Sequence, residues 1–114
     1  MSETGGVQQI DAIDAEQRLQ TGALLLDVRE PNEWQAGHAP DALHVPMGEI
    51  PQRNDLPSDR EIVVVCRSGA RSQRVAQFLL ANGLRAVNLQ GGMQAWAASG
   101  FAVVIENGEP GTII

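Results

Sequence analysis

Cys66 is the only cysteine in the 114 residues, and it stands where the apolar run Ile62-Val63-Val64-Val65 gives way to Arg67-Ser68-Gly69-Ala70-Arg71-Ser72. A thiol is a strong nucleophile only as thiolate, so what matters is whether the surroundings favour the charged form. A β-branched run, a short Gly-containing loop and a segment of helical periodicity predict strand, loop and helix in that order. That arrangement brings the sulfur to the carboxyl end of a buried strand and to the positive end of a helix beginning near Ser72. Gly69 frees the loop to curl, so that successive N–H groups converge on one point as an anion-binding nest. Arg71 and Arg67 are expected to add full positive charges. An inert core thiol is the commoner fate of a lone cysteine, but this loop is too polar for a core.

The composition narrows the chemistry around that thiol. The formal net charge is -6, from 8 basic and 14 acidic residues, which argues against nucleic acid or an anionic membrane as partner. Every basic residue is Arg, and Arg67, Arg71 and Arg74 fall in or just after the cysteine loop. Without Lys there is no Schiff base, no anchor for pyridoxal phosphate and no phosphate-binding lysine of a P-loop. One Cys and two His, His38 and His44, at unrelated spacings match no common metal-ligand pattern, so no metal and no cofactor are expected. The two histidines are expected to bond to backbone rather than act as a base for Cys66. Asp27, at the end of its strand on the same edge as Cys66, is expected to hydrogen-bond within the scaffold, with Arg29 or a loop N–H as partner.

A chain of this length makes one domain with one core. Residues 1–7 read as a loose start and 106–114 as a tail around a domain over 8–105. Asp14 as N-cap, Gln17 three residues later and Gly22 as stop predict a helix over about 14 to 21. The continuously apolar Ala23–Val28 reads as a strand covered on both faces, and Pro31, Glu33 and Gly37 frame a short helix carrying Trp34. A strand at Leu43–Val45 and a weak helical turn around Gly48 to Arg53 lead to the main strand, Ile62–Val65. Val75, Phe78, Leu79 and Asn82 recur at helical spacing up to Gly83. A strand at Ala86–Leu89 and a helix from Met93 to Ser99, with Trp96 facing the core, close the pattern. Strands alternating with helices predict an α/β domain with a mostly parallel sheet and helices on both faces. Ligands of such sheets bind at the carboxyl ends of the strands. No secretory n-region or h-region opens the chain, and no apolar run approaches the roughly 18 residues of a membrane span, so a cytoplasmic protein is expected.

Three blocks of the chain resemble the single-domain rhodaneses, a family of sulfurtransferases. Leu26-Asp27-Val28-Arg29-Glu30, Glu33-Trp34, Gly37-His38-Ala39-Pro40-Asp41-Ala42 and Val45-Pro46 are similar to that family's first block; Cys66 to Ser72 resembles its active-site loop; and Gly91-Gly92-Met93-Gln94-Ala95-Trp96 resembles its closing motif. Ala39 and Asp41 depart from the family pattern, which has an aliphatic residue and Gly there. The resemblance implies a three-layer domain with a sheet of about five strands. It also implies that Cys66 takes the outer sulfur of a small anionic donor such as thiosulfate, holds it as a persulfide within the N–H groups of Arg67 to Ser72, and yields it to cyanide or a thiol, a protein thiol among them. With no second cysteine in the chain, the acceptor is expected to come from outside.

Two other functions use the same elements. A cysteine-dependent phosphatase shares the strand, loop and helix, but the tyrosine-type enzymes place five residues between Cys and Arg to wrap a tetrahedral phosphate. Here four separate Cys66 from Arg71, which suits a sulfur atom better. A non-catalytic rhodanese-like binding module is the other alternative, and such modules commonly lack the cysteine.

Overall fold

The computed structural model describes residues 6–114, so most of the loose start expected over 1–7 lies outside the described residues. Five parallel strands form one sheet: β1 (Gln9–Ile10), β2 (Leu24–Asp27), β3 (Leu43–His44), β4 (Glu61–Val65) and β5 (Arg85–Leu89), in the spatial order β1-β5-β4-β2-β3. Between them run α1 (Ala12–Gln20), α2 (Pro31–Ala36), a 3-10 helix (Met47–Gln52) and α3 (Ala70–Ala81), and α4 (Gly92–Ala98) follows β5. The fold is the expected α/β class, with an all-parallel sheet. Among the described residues no helix is long and apolar enough to cross a membrane.

β4 lies at the centre of the sheet, and its alternation divides the core in two. Ile62, Val64 and Cys66 pack on one face with Val75, Ala76 and Leu79 of α3 and Ile50 of the 3-10 helix. Val63 and Val65 pack on the other with Ala12 and Ala15 of α1 and Met93 and Trp96 of α4. A strand buried on both faces has no polar position to spare, which is why it reads as an unbroken apolar run. The period-2 rule then fixes the direction of Cys66: it continues the Ile62, Val64 series and faces α3.

Some elements differ from the expectations. α1 starts earlier, because Asp11 is in extended conformation and its carboxylate accepts from the Asp14 N–H at 2.7 Å; Asp14 lies inside the first turn and binds Arg18 at 2.9 Å. α3 begins at Ala70 rather than near Ser72, and its buried stripe is Ser72, Val75, Ala76 and Leu79. Phe78, counted in the apolar face from its spacing, is 41% exposed. Val7 is buried in the core, and the carbonyl of Gln8 accepts from the Asn88 N–H at 2.9 Å, so residues 7 and 8 are held by the edge of the sheet. The tail is also docked. Val104 and His38 exchange backbone hydrogen bonds at 2.9 and 2.8 Å, Thr112 N–H donates to the Ala36 carbonyl at 2.8 Å, and the chain returns to the cysteine loop at Ile114.

The Gly91-Gly92 turn brings α4 against that loop. Met93 N–H donates to the Cys66 carbonyl at 2.8 Å and Gln94 N–H to the Arg67 carbonyl at 3.1 Å. The free N–H groups of the first turn of α4 thus hold the loop backbone. Gly92 has φ +60, and a Cβ there would lie 2.4 Å from the Cys66 carbonyl oxygen and 2.5 Å from that of Arg67. Neither contact can be relieved by turning a side chain. Gly92→Ala should therefore cost about 2 kcal/mol or more in stability, read as a lower midpoint in denaturant unfolding; a midpoint within error of the parent would mean that the approach is not needed.

Candidate functional site

The strand β4 ends at Val65, and Cys66 follows with 1% of its surface exposed. The next residues turn sharply into α3, with Gly69 as N-cap at φ 112, a left-handed conformation that favours glycine. The turn directs the Gly69 N–H at Sγ, 3.1 Å away. Ser72, in the first turn of α3 and fully buried, places its Oγ 3.3 Å from Sγ. Burial pushes the Cys66 thiol up; the Ser72 hydroxyl and the N–H groups of Ser72, Gly69 and Ser68 push it down, and together they hold it below its ordinary value. Two donors from the turn, the Gly69 N–H and the Ser72 hydroxyl, thus lie within hydrogen-bond distance of the sulfur. Arg67, Ser68 and Ala70 are exposed, so the cradle borders solvent.

The two arginines expected to add full charges at the loop make their hydrogen bonds away from the sulfur. Arg71 forms a two-pronged ion pair with Glu33 of α2, Nη1 to Oε1 at 2.7 Å and Nη2 to Oε2 at 2.9 Å. The Glu33 hydrogen bonds are the main reason the Arg71 pKa is raised, with a smaller contribution from Cys66, and both prongs of the guanidinium are spent on the carboxylate. Arg67 turns outward, with Nε donating to the Ile114 carbonyl at 3.0 Å, and in the orientation that satisfies its side-chain amide Gln94 accepts from the same guanidinium. The donors in direct contact with sulfur are neutral.

Glu33 went unrecognised as part of the site in the sequence, where it reads as a helix first-turn acid. Its Oε1 accepts from the Glu30 N–H at 2.9 Å, closing a capping box, and also from Arg71. One carboxylate therefore caps α2 and ties it to α3. Asn88, Gln9 and Gln73 were missed as well. Asn88 is 2% exposed on β5, beside Val64 of β4 and Gln9 of β1 in register. Its Oδ1 accepts from Ser72 Oγ at 2.6 Å, and its Nδ2 donates to Gln9 Oε1 at 2.8 Å and to the Gly69 carbonyl at 3.1 Å. The available signal was a lone amide in the otherwise apolar run Ala86-Val87-Asn88-Leu89, since a buried polar group needs partners.

Asp27 and Arg29 pair as the sequence suggested. Both are buried; Arg29 Nη2 donates to Asp27 Oδ2 at 2.8 Å and to the Gly37 carbonyl at 2.8 Å, and the Arg29 N–H donates to Asp27 Oδ1 at 3.0 Å. The pair ties the end of β2 to the end of α2. His38 Nδ1 is 2.8 Å from the Trp34 carbonyl and His44 Nε2 is 2.8 Å from the Arg29 carbonyl. Both rings stack on Trp34, at centroid distances of 3.6 and 4.7 Å. They are engaged with backbone and indole, and the thiol has its donors elsewhere.

The Arg71 hydrogen bonds lower the Glu33 pKa from 4.5 to about 2, with burial opposing and the Glu30 N–H assisting. A folded-state pKa below the unfolded one means that the stabilisation is complete above the unfolded value and is lost as pH falls through the folded one. Glu33→Gln should therefore lower the melting temperature at neutral pH, and the difference from the parent should shrink as pH falls from 4.5 towards about 2. Thermal melts across that range check it; a difference constant with pH would contradict the pairing.

The description Rhodanese-like domain belongs to the sequence family that matches residues 11–99. A sulfurtransferase of Allochromatium vinosum is 43% identical over 106 residues, covering 90% of this chain and 99% of that protein. Among solved structures, a rhodanese-related protein from Thermoplasma volcanium superposes with a TM-score of 0.82 at 33% identity, over 87% of this chain and 99% of that one. A rhodanese-like domain protein from Staphylococcus aureus gives 0.74 at 34% identity, over 79% and 91%.

Proposed function

The chain belongs to the rhodanese-like domain family, and from that membership we propose that it is a sulfurtransferase carrying a sulfane sulfur on Cys66. The observation that carries this reading is the set of neutral donors converging on Sγ, from Gly69, Ser68 and Ser72. The Cys66 thiolate attacks the outer sulfur of a small anionic donor such as thiosulfate. A new S–S bond forms, the donor's own S–S bond breaks, and sulfite leaves with the electron pair. The terminal sulfur of the persulfide is then an anion beside the loop N–H groups of Arg67 to Ser72, which stabilise charge without reorganising. Cyanide or a thiol next attacks that terminal sulfur, and Cys66 departs as thiolate. This is double displacement through a covalent intermediate.

Two further features favour this reading. Cys66 is the only cysteine of the 114 residues, so no second thiol among them can attack Sγ to form an intramolecular disulfide and expel the outer sulfur as hydrosulfide. The loop holds four residues between Cys66 and Arg71, and Arg71 is engaged with Glu33 rather than arching over the thiol as a phosphate would need. A thiol that must stay unpaired and reduced suits the cytoplasm.

Incubation with thiosulfate should add one sulfur atom to the intact mass, and cyanide should remove it with release of thiocyanate. No mass gain, or a gain that survives in Cys66→Ser, would overturn the proposal. Turnover of an aryl phosphate lost in Cys66→Ser would install the phosphatase in its place, and a protein partner bound equally by Cys66→Ala without any sulfur gain would install the binding module. Arg71→Ala should lower kcat/KM for thiosulfate about tenfold, roughly 1.4 kcal/mol, because it leaves the Glu33 carboxylate without its cation next to the cysteine loop and so disfavours an anionic donor, with most of the change in KM; unchanged kinetics would assign donor binding to the backbone alone.

A further inference from the structure

Ser72 carries one hydroxyl proton and faces two acceptors: Cys66 Sγ at 3.3 Å and Asn88 Oδ1 at 2.6 Å. It can serve only one of them at a time. The amide cannot turn over to relieve the competition, because its Nδ2 is committed to Gln9 Oε1 at 2.8 Å and to the Gly69 carbonyl at 3.1 Å. Gln9 is itself held by Gln73, Nε2 donating to Oε1 at 2.5 Å. The acceptor oxygen is thus fixed towards the Ser72 hydroxyl by elements on either side, β1 and α3, and the two groups that share the proton are buried, with Ser72 0% and Asn88 2% exposed.

We propose that Asn88 is a positioning residue that takes the Ser72 hydroxyl proton while Sγ is uncharged and yields it to Sγ when the thiolate forms. In the thiol, S–H can donate to Ser72 Oγ and the hydroxyl donates to Asn88. When the thiol proton passes to solvent, the hydroxyl rotates to sulfur; its own O–H bond never breaks, and Asn88 Oδ1 loses that donor. In the persulfide the charge moves to the terminal sulfur, Sγ becomes neutral, and the hydroxyl returns to Asn88. Asn88 therefore stabilises the two states with uncharged Sγ against the free thiolate, which favours loading over premature return of the sulfur. Such a fixed network can discriminate states because each buried polar group must be satisfied in turn. The ion pairs on the neighbouring elements are Arg71–Glu33, from α3 and α2, and the buried Arg29–Asp27 at the end of β2, and the variants below leave both in place.

The inference rests on Cys66 as the proposed nucleophile, but its test needs no sulfur donor, so failure of sulfur transfer and failure of this relay are separate results. The readout is the pH dependence of iodoacetamide alkylation of the single cysteine. In Asn88→Leu, which keeps the shape and removes the competing acceptor, the hydroxyl belongs to sulfur alone and the midpoint should fall, giving about threefold more thiolate at pH values below it. A midpoint that is unchanged or higher would overturn the proposal, since a merely structural amide would loosen the cradle and raise it. In Asn88→Asp the carboxylate binds the hydroxyl more firmly, and the midpoint should rise by about one unit. That rise should fall to less than half in a Ser72→Ala background, a comparison that stands even if Asn88→Leu does not fold. A rise of undiminished size would mean that the new charge acts on sulfur directly, which also overturns the proposal.

Discussion

Keeping a negative charge on a sulfur that is almost wholly buried costs free energy, and only donors already fixed in place offset it. In this protein those donors are backbone N–H groups and one hydroxyl, held by the turn from β4 into α3. The rest of the architecture keeps that turn in position. β4 delivers Cys66 to the face of α3, the first turn of α4 anchors the carbonyls of Cys66 and Arg67, and the Asn88 amide holds the Gly69 carbonyl. Each contact fixes backbone direction, and the sulfur receives the sum.

The cations act at one remove. Net charge -6 with three arginines near the thiol suggests a positive pocket, yet Arg71 is neutralised by Glu33 and Arg67 is drawn towards Gln94 and the chain's last residue. An arginine bound through both prongs is oriented as well as paired. The ion pair thus makes the guanidinium a strut between α2 and α3. The buried Asp27–Arg29 pair does similar work from β2, since breaking either partner would strand a charge in the core.

The strands and the cysteine loop were legible because their signals are local. A doubly buried strand reads as an unbroken apolar run, and a strand, a Gly-bearing loop and a helix follow from residues within a few positions of one another. What stayed hidden depends on partners distant in the chain. Gln9 and Ile10 make a strand only because β5 lies beside them, and Val7 is buried for the same reason. Phe78 has the spacing of a core residue, but the sheet meets α3 along Ser72, Val75, Ala76 and Leu79. Glu33 and Arg71 are separated by 38 positions, and Ser72 and Asn88 by 16, so their pairing could not be read from spacing. The docked tail was hidden likewise, because its hydrogen bonds go to residues of α2 and the cysteine loop.

If neutral, preorganised donors rather than free cations set the ionisation of Cys66, salt should hardly matter, because screening acts on exposed charges and spares buried dipoles. The direct measurement is thiolate ultraviolet absorbance against pH at low and at high ionic strength. The account predicts a midpoint below that of an ordinary thiol and nearly the same in both. A midpoint at or above the ordinary value, or one that climbs steeply with salt, would contradict it.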